Sequence, residues 1–244
     1  MFKYTLANGI TIECDNTNDN RNDFVPNWPE LSKLDECYCT SDFHILKEFI
    51  TRDEDGHKNV IAYDENNIDV DRLNRFKEMC KCIPKDSAFI FLGDITESEF
   101  DSDSPYIDKV KEVFREILNA DDHNAPRILV RGNNDVLDKE VYKEFGFDYV
   151  VPKIELGNIL FSHKPLNVDS DHLNIHGHLH EHKTYFDISP KNHINVYYET
   201  ENGPQTVAEF IARFNSGKYD DCVLAHSEEY RTSDMIEDIG EDYE

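Results

Sequence analysis

Asp42, His44, Asp94, Asn133, His163, His178 and His180 are of residue types that bind divalent metals, and each stands at or just beyond the end of a short apolar run. The local sequences are Ser41-Asp42-Phe43-His44, Phe91-Leu92-Gly93-Asp94, Val130-Arg131-Gly132-Asn133-Asn134-Asp135, Phe161-Ser162-His163 and Ile175-His176-Gly177-His178-Leu179-His180. Imidazole mixed with carboxylate suits Mn, Fe, Zn, Co or Ni better than Mg alone, and the lack of cysteine in the set argues against a purely structural zinc. Two such ions about 3.5 to 4 Å apart polarise a shared water toward hydroxide and neutralise phosphoryl oxygens. The five blocks outline a two-metal hydrolytic site, provided the fold brings them together.

The elements around the blocks are of the kind that would do so. An apolar run delivers its last residue to the carboxyl end of a strand, and open α/β sheets bind ligands in the crevice outside those ends. Residues 2–14 alternate around Ala7-Asn8-Gly9 and read as a β-hairpin, followed by an Asn-, Asp- and Pro-rich loop over 15–30. A strand over 36–40 then feeds Asp42 and His44, placing them on a strand-to-helix turn. Leu73, Phe76, Met79, Cys80 and Ile83 recur at helical spacing, with Asp69 or Asp71 as a cap, before a strand over 88–92. Ile107, Val110, Val113, Phe114 and Ile117 form one face of a helix over 106–118. A strand over 128–130, a helix near 136–145, and strands around 148–156 and 158–162 follow. A strand over 194–199 and an amphipathic helix carrying Val207, Phe210, Ile211 and Phe214 look like the last ordered elements. Helices alternate with strands early and strands dominate later, an α/β pattern. Residues 220–244 hold ten Asp or Glu and a single Arg. The expected organisation is one domain over 1–215 and a flexible acidic tail over 216–244.

In order, spacing and flanking apolar runs, the five blocks resemble the calcineurin-like metallophosphoesterases, whose pattern is Asp-x-His, Gly-Asp, Gly-Asn-His-Asp/Glu, His and Gly-His-x-His. The resemblance covers residues 41 to 180, and Asn195-Val196-Tyr197-Tyr198 followed by a proline and a helix is similar to the closing segment of small bacterial and phage members. It implies a sandwich of two β-sheets flanked by helices, with metals at the carboxyl edges. It also implies that Asp42, His44 and His180 hold one metal, that Asn133, His163 and His178 hold the other, and that Asp94 bridges them. The cofactors would be two divalent ions, Mn2+ foremost, and the reaction hydrolysis of a phosphodiester or small nucleotide-like phosphate by hydroxide generated between them. Asn133 coordinates without adding negative charge, and Asp135 orients the loop or a neighbouring group.

One position departs from the family. Asn134 stands where the pattern has His, a residue thought to bind phosphate and help protonate the leaving group. A positioned general acid contributes about 10^2 to 10^4 in rate. Asn donates a hydrogen bond but supplies no proton, so the change weighs least on good leaving groups such as a nitrophenolate or a nucleotide phosphate and most on alkoxides; relatives with Cys at this position resemble active phosphodiesterases, and a diesterase is expected rather than a monoesterase. A metal-binding interaction module with lost turnover is the alternative reading, and all seven ligands being present argues against it.

Composition narrows the partners. With 25 basic and 51 acidic residues in 244 and a formal charge of -26, no surface is expected to follow a long duplex, which needs clustered Lys and Arg. Nuclease action on single-stranded or terminal nucleic acid is disfavoured for the same reason. Small anionic substrates remain compatible, because two bound cations would invert the field in the cleft. Met1-Phe2-Lys3-Tyr4-Thr5-Leu6 lacks the apolar core of a signal peptide, and no stretch approaches the ~20 apolar residues of a membrane span, so a soluble, cytoplasmic protein is expected. The six cysteines, at 14, 37, 39, 80, 82 and 222, read as reduced, packed thiols rather than a zinc site or disulfides. His172, His176 and His182 read as neighbours of the site or surface residues, and His57, His123, His193 and His226 as ordinary polar residues. Arg131 and Lys164 could reach a substrate phosphate, though an ion pair with the acidic surface is the favoured role of Arg131. Specificity would lie in loops such as 52–72 and 98–106.

Overall fold

A computed structural model of the chain describes residues 2–5, 11–14, 35–45, 50–52, 58–60, 70–96, 107–180, 192–197 and 205–215. Its elements are, in order, β1 (Phe2–Thr5), β2 (Thr11–Cys14), β3 (Cys37–Thr40), β4 (Ile50–Arg52), β5 (Lys58–Val60), α1 (Val70–Cys82), β6 (Ala88–Phe91), α2 (Ile107–Ile117), β7 (Arg127–Val130), α3 (Lys139–Phe145), β8 (Tyr149–Val151), β9 (Lys153–Leu156), β10 (Ile159–Ser162), β11 (Leu173–His176), β12 (His193–Asn195), β13 (Gln205–Thr206) and α4 (Val207–Asn215). Five strands pair in the order β13-β3-β6-β7-β8 and four in the order β12-β11-β10-β9. Within the first sheet β3, β6, β7 and β8 are parallel, and within the second β10, β11 and β12 are parallel. All five site blocks follow parallel strands, so the chain leaves each of those strands at a carboxyl end.

Alternation along the strands builds two cores. Cys37, Cys39, Ala88, Ile90, Leu92, Ile128 and Val130 pack with Ile159, Phe161, Leu173, Ile175 and Ile194 of the four-stranded sheet, and α4 adds Val207, Phe210 and Ile211. The opposite face of the five-stranded sheet gives Phe89, Phe91 and Leu129 to a second cluster. There they meet Phe76 and Met79 of α1, Val110 and Phe114 of α2, and Tyr142 and Phe145 of α3. Phe114 stacks on Phe145 with ring centroids 4.6 Å apart. The result is the two-sheet sandwich with flanking helices that the resemblance implies.

Local signals explain several boundaries. Thr206 and Glu209 form a reciprocal capping box at the start of α4: the Glu209 amide donates to Thr206 Oγ1 at 3.2 Å and the Thr206 amide to Glu209 Oε2 at 2.8 Å. Helix α3 ends at Gly146, whose φ of 114° suits glycine alone. The hairpin β1–β2 pairs Tyr4 with Ile12 as its alternation requires.

Other expectations are corrected. The hairpin β4–β5 occupies part of the expected 52–72 loop, and the helix expected directly after His44 would begin in residues 46–49, which lie outside the described residues. Asp71 lies inside α1 rather than capping it, and Asp69 falls outside the described residues. Helix α3 starts at Lys139 because residues 136–138 belong to the loop that leaves the site. Strand β12 ends at Asn195. Cys37 and Cys39 are packed thiols, whereas Cys82 is exposed at the end of α1. The 15–30 and 98–106 loops, His57, His182, His226 and the acidic tail lie outside the described residues. No described helix is long and apolar enough to cross a membrane.

His123 offers a test of the scaffold apart from the site. Its Nε2 lies 2.9 Å from Asp148 Oδ2, which also accepts the Arg127 amide at 2.7 Å and so pins the start of β7. The Asp148 hydrogen bond raises the His123 pKa against the effect of burial, and burial of Asp148 is outweighed by His123, which lowers it. The His term is fully present below the unfolded His value of about 6.5 and fades as pH rises through the higher folded value. The Asp term is present above about 3.8 and fades in acid. The stability lost in H123Q is expected to be larger at pH 5.5 than at pH 9, by less than about 1 kcal/mol given the partly exposed carboxylate. Urea unfolding of both proteins at the two pH values measures it.

Candidate metal centre

The ladders between neighbouring strands continue past the strand ends and hold the blocks side by side. The amides of Asp42, His44 and Ile45 donate to the carbonyls of Gly93, Asp94 and Ile95, at 3.0, 2.9 and 2.9 Å, and the Gly177 amide donates to the His163 carbonyl at 3.0 Å. Phe43, between two of the expected ligands, is 2% exposed and anchors them by packing on Phe76, with ring centroids 4.9 Å apart. Ile95 does the same for Asp94 from the other side of the junction.

The backbone is strained where the candidate ligands sit. Among the described residues, Asp42, His44, Asp94, His178 and His180 have φ between 47° and 70°, and Asn119 is the sole further non-glycine residue at positive φ. Left-handed backbone costs about 1 kcal/mol or more at such residues and persists where the surroundings enforce it, most often at functional sites. Glycines allow the close approach. A Cβ on Gly93, itself at φ 84°, would lie 2.6 Å from both the Gly132 nitrogen and His163 Nδ1.

The side chains converge in two groups. Asp42, His44 and His180 form one and Asp94, His163 and His178 the other, the offered ligand atoms within each lying within 4.8 Å of one another. His44 Nε2 and His180 Nε2 are 3.2 Å apart, as are His163 Nε2 and His178 Nδ1. Asn133 Oδ1 lies 3.0 Å from His163 Nε2, and the Asn133 side chain is exposed to the cleft. Asp94 Oδ2 is 3.3 Å from His163 Nε2 and 3.7 Å from His44 Nε2, between the groups. Nitrogens about 2.1 Å from one ion and roughly 100° apart stand about 3.2 Å from each other. The donor set fits divalent ions in spacing as well as in kind.

Electrostatics and tautomers agree with that fit. His163 Nδ1 donates to the Leu92 carbonyl at 2.8 Å, which directs Nε2 into the cluster. Burial would lower the His163 pKa, but Asp94 and then Asp42 raise it to about 9. Burial would raise Asp94, but the His163 charge and hydrogen bond hold it well below the usual carboxylate range. His178 is pulled down to about 3 by burial and then by the His163 charge, so it is neutral at pH 7. Burial pushes Asp42 up to about 6, partly offset by His163. Ligation by His163 requires loss of its proton, as metal binding to imidazole generally does.

The remaining predicted residues take clear places. Asp135 is 1% exposed and turned into the loop junction, where its oxygens accept the amides of Asp94 (2.8 Å), Ile95 (3.0 Å), Thr96 (3.2 Å) and Gly132 (2.8 Å). Asn134 faces Asp94. Arg131 makes no described ion pair; its guanidinium donates to the carbonyls of Asp135 and Leu137, tying the loop. His176 is buried, with Nδ1 2.9 Å from the Gly177 carbonyl, and His172 meets Asp171 at the surface.

Sequence reasoning missed four supports. Ser41 Oγ sits between Asp42 Oδ2 and the Val196 carbonyl. Thr96 Oγ1 links Asp135 to Tyr142 of α3. Asn195 donates to the His180 carbonyl at 2.8 Å, and Tyr197 stacks on the His180 ring at 4.8 Å. Ser41, Asn195 and Tyr197 all lie within the quoted motif segments, so their positions were a signal although their partners were not.

Gly177 is the most sensitive small residue of this half of the cluster. An added Cβ would meet Asp42 Oδ2 at 2.5 Å and Ser41 Oγ at 2.6 Å. Gly177→Ala is expected to destabilise by about 1–3 kcal/mol through overpacking. It is also expected to reduce metal-dependent turnover by on the order of 10^2-fold through displacement of Asp42. Thermal melting and initial rates on the same preparation check the pair.

Comparison with known proteins places this geometry. The family model described as calcineurin-like phosphoesterase matches residues 37–242. Among solved structures, the chain is similar to the nuclease MPE of Pseudomonas putida, with 18% identity, a TM-score of 0.41, and 60% of this chain and 62% of that one covered. It is also similar to a protein of unknown function, AQ665, from Aquifex aeolicus, with 22% identity, a TM-score of 0.41, and 71% and 96% covered. The chain thus spans less than two thirds of the length of the nuclease it matches. The comparison with curated proteins found no match.

Proposed function

The chain belongs to the calcineurin-like phosphoesterase family of metal-dependent hydrolases, and from that premise we propose that it hydrolyses a phosphodiester or small nucleotide-like phosphate at a two-metal centre. Asp42, His44 and His180 would hold one ion, Asn133, His163 and His178 the other, and Asp94 both. The observation that carries this reading is the position of Asp94 Oδ2, within 3.3 and 3.7 Å of an imidazole nitrogen from each group. When bound, divalent ions supply Lewis acidity toward the phosphoryl oxygens and lower the pKa of water at the site.

The chain's own residues prepare the rest. Asp94 brings negative charge at neutral pH, His178 is already neutral, and the Leu92 carbonyl holds the His163 ring in its ligating orientation. Asn133 at the cleft adds an amide oxygen and no charge. Asn134 offers no transferable proton, so a leaving group must depart as a stabilised anion or take its proton from solvent. That favours activated esters and nucleotide-like phosphates, whose leaving groups are stabilised anions, over simple alkyl esters. The formal charge of -26 argues against a long duplex as substrate.

The test is hydrolysis of bis(4-nitrophenyl) phosphate against 4-nitrophenyl phosphate, with Mn2+ and with chelator. Metal-dependent turnover favouring the diester is expected. Preference for the monoester would overturn the substrate class, and no turnover of either ester by protein holding two ions would make the chain a metal-binding interaction module.

A further inference from the structure

Resting on the two-metal reading, we infer that Asn134 is a positioning residue that clamps the Asp94 carboxylate, rather than a donor turned toward substrate. Its main-chain amide donates to Asp94 Oδ1 at 2.9 Å and its side-chain Nδ2 donates to Asp94 Oδ2 at 2.8 Å. One residue thus holds both oxygens of the group that stands between the two ligand clusters. The clamp is needed because rotation of a carboxylate about its last bond is soft, with no sharp staggered minima, so partners set its plane. The Asp94 backbone is independently fixed at φ 56°, its amide donating to Asp135 at 2.8 Å. Asn134 supplies the remaining degree of freedom.

The chemistry of the residue suits that role. A neutral amide donor orders a carboxylate without placing positive charge beside two cations. An imidazolium or ammonium at the same spot would compete with the ions for Oδ2. The main-chain donor survives any substitution but proline, so the side chain contributes specifically to Oδ2, the oxygen nearest the imidazoles of both groups. Partners that orient a ligand are typically worth about 10–100-fold in metal affinity.

The experiment measures Mn2+ binding by calorimetry for the 244-residue protein and for N134A and N134L, the second keeping the volume while removing the donor. Both variants are expected to bind Mn2+ about 10–100-fold more weakly, with kcat recovering toward the parent value at saturating Mn2+ and KM for bis(4-nitrophenyl) phosphate unchanged. Unchanged affinity overturns the clamp, as does a kcat or KM defect that saturating metal leaves in place, the behaviour of a donor to substrate. In the unsubstituted protein the Asn134 side-chain amide protons should exchange slowly with solvent by NMR; fast exchange contradicts the clamp without recourse to a variant. Because affinity is read without turnover, a protein that binds metal but hydrolyses nothing refutes the phosphoesterase reading and still tests Asn134.

Discussion

Replacing Asp94 with alanine is expected to lower metal-dependent hydrolysis of bis(4-nitrophenyl) phosphate on the order of 10^3-fold or more, the largest loss of any single substitution. Asp94 Oδ2 lies within 4 Å of a ring nitrogen of both His44 and His163, so its removal would take a ligand from both groups at once. A bound metal supplies several kcal/mol of transition-state charge stabilisation, and each 1.36 kcal/mol is about tenfold in rate. Asp94→Ala should also bind fewer than two Mn2+ per chain, as counted by metal analysis after gel filtration. Retained turnover with two ions bound would show that the groups do not share this carboxylate.

Replacing Asp135 with alanine is expected to have the largest effect on stability. Its carboxylate is 1% exposed and serves the amides of Asp94, Ile95, Thr96 and Gly132 together with the Thr96 hydroxyl. A buried donor left without its acceptor costs about 1–3 kcal/mol, and the amides cannot all find new partners in the space vacated. A loss of about 3–5 kcal/mol is expected, near that of breaking a buried ion pair, with a fall in Tm of roughly 6–20 °C for a domain of this size. Asp135→Asn keeps one oxygen acceptor and should lose less. Thermal and urea unfolding order the three proteins, and equal stability of Asp135→Ala and the parent would show that the loop is held by other contacts.

The two effects separate the roles of neighbouring acids that look alike in sequence. Asp94 and Asp135 both follow a glycine-bearing block at a strand end, but the first turns into the cleft and the second into the junction between loops. Burial and the nearby Asp94 charge raise the Asp135 pKa, whereas His163 lowers that of Asp94. The carboxylate between the two groups is thus held ionised by a cationic neighbour, whereas at the structural one burial works against ionisation and the amide donors work for it.

The convergence of the candidate residues was legible because each lies at or just beyond the end of an apolar run, and parallel strands bring such ends to one edge. The two faces of β6, Ala88 and Ile90 toward the other sheet and Phe89 and Phe91 toward the helices, were not legible, because the run is apolar at every position. What could not be read were partnerships across sequence distance. Nothing local says that the Asn134 amide turns to Asp94, forty positions away, or that Arg131 spends its guanidinium on the carbonyls of its own loop. The hairpin β4–β5 was missed because Ile50–Arg52 and Lys58–Val60 are each too short to show a period. Helix α3 began late because Val136 and Leu137 fit a helical spacing while belonging to the loop, with Val136 exposed and Leu137 buried. The strain at Asp42, His44, Asp94, His178 and His180 has no sequence signature, since nothing in the local sequence marks these Asp and His residues as left-handed.

On the proposed reading, two divalent ions sharing Asp94 carry out the hydrolysis. The most direct test is to strip the protein with chelator, return Mn2+ in graded equivalents, and follow bis(4-nitrophenyl) phosphate hydrolysis beside bound metal. Activity that is absent after stripping and rises with occupancy of the second equivalent is the predicted result. Hydrolysis that survives stripping, or that reaches its plateau with one ion bound, would contradict it.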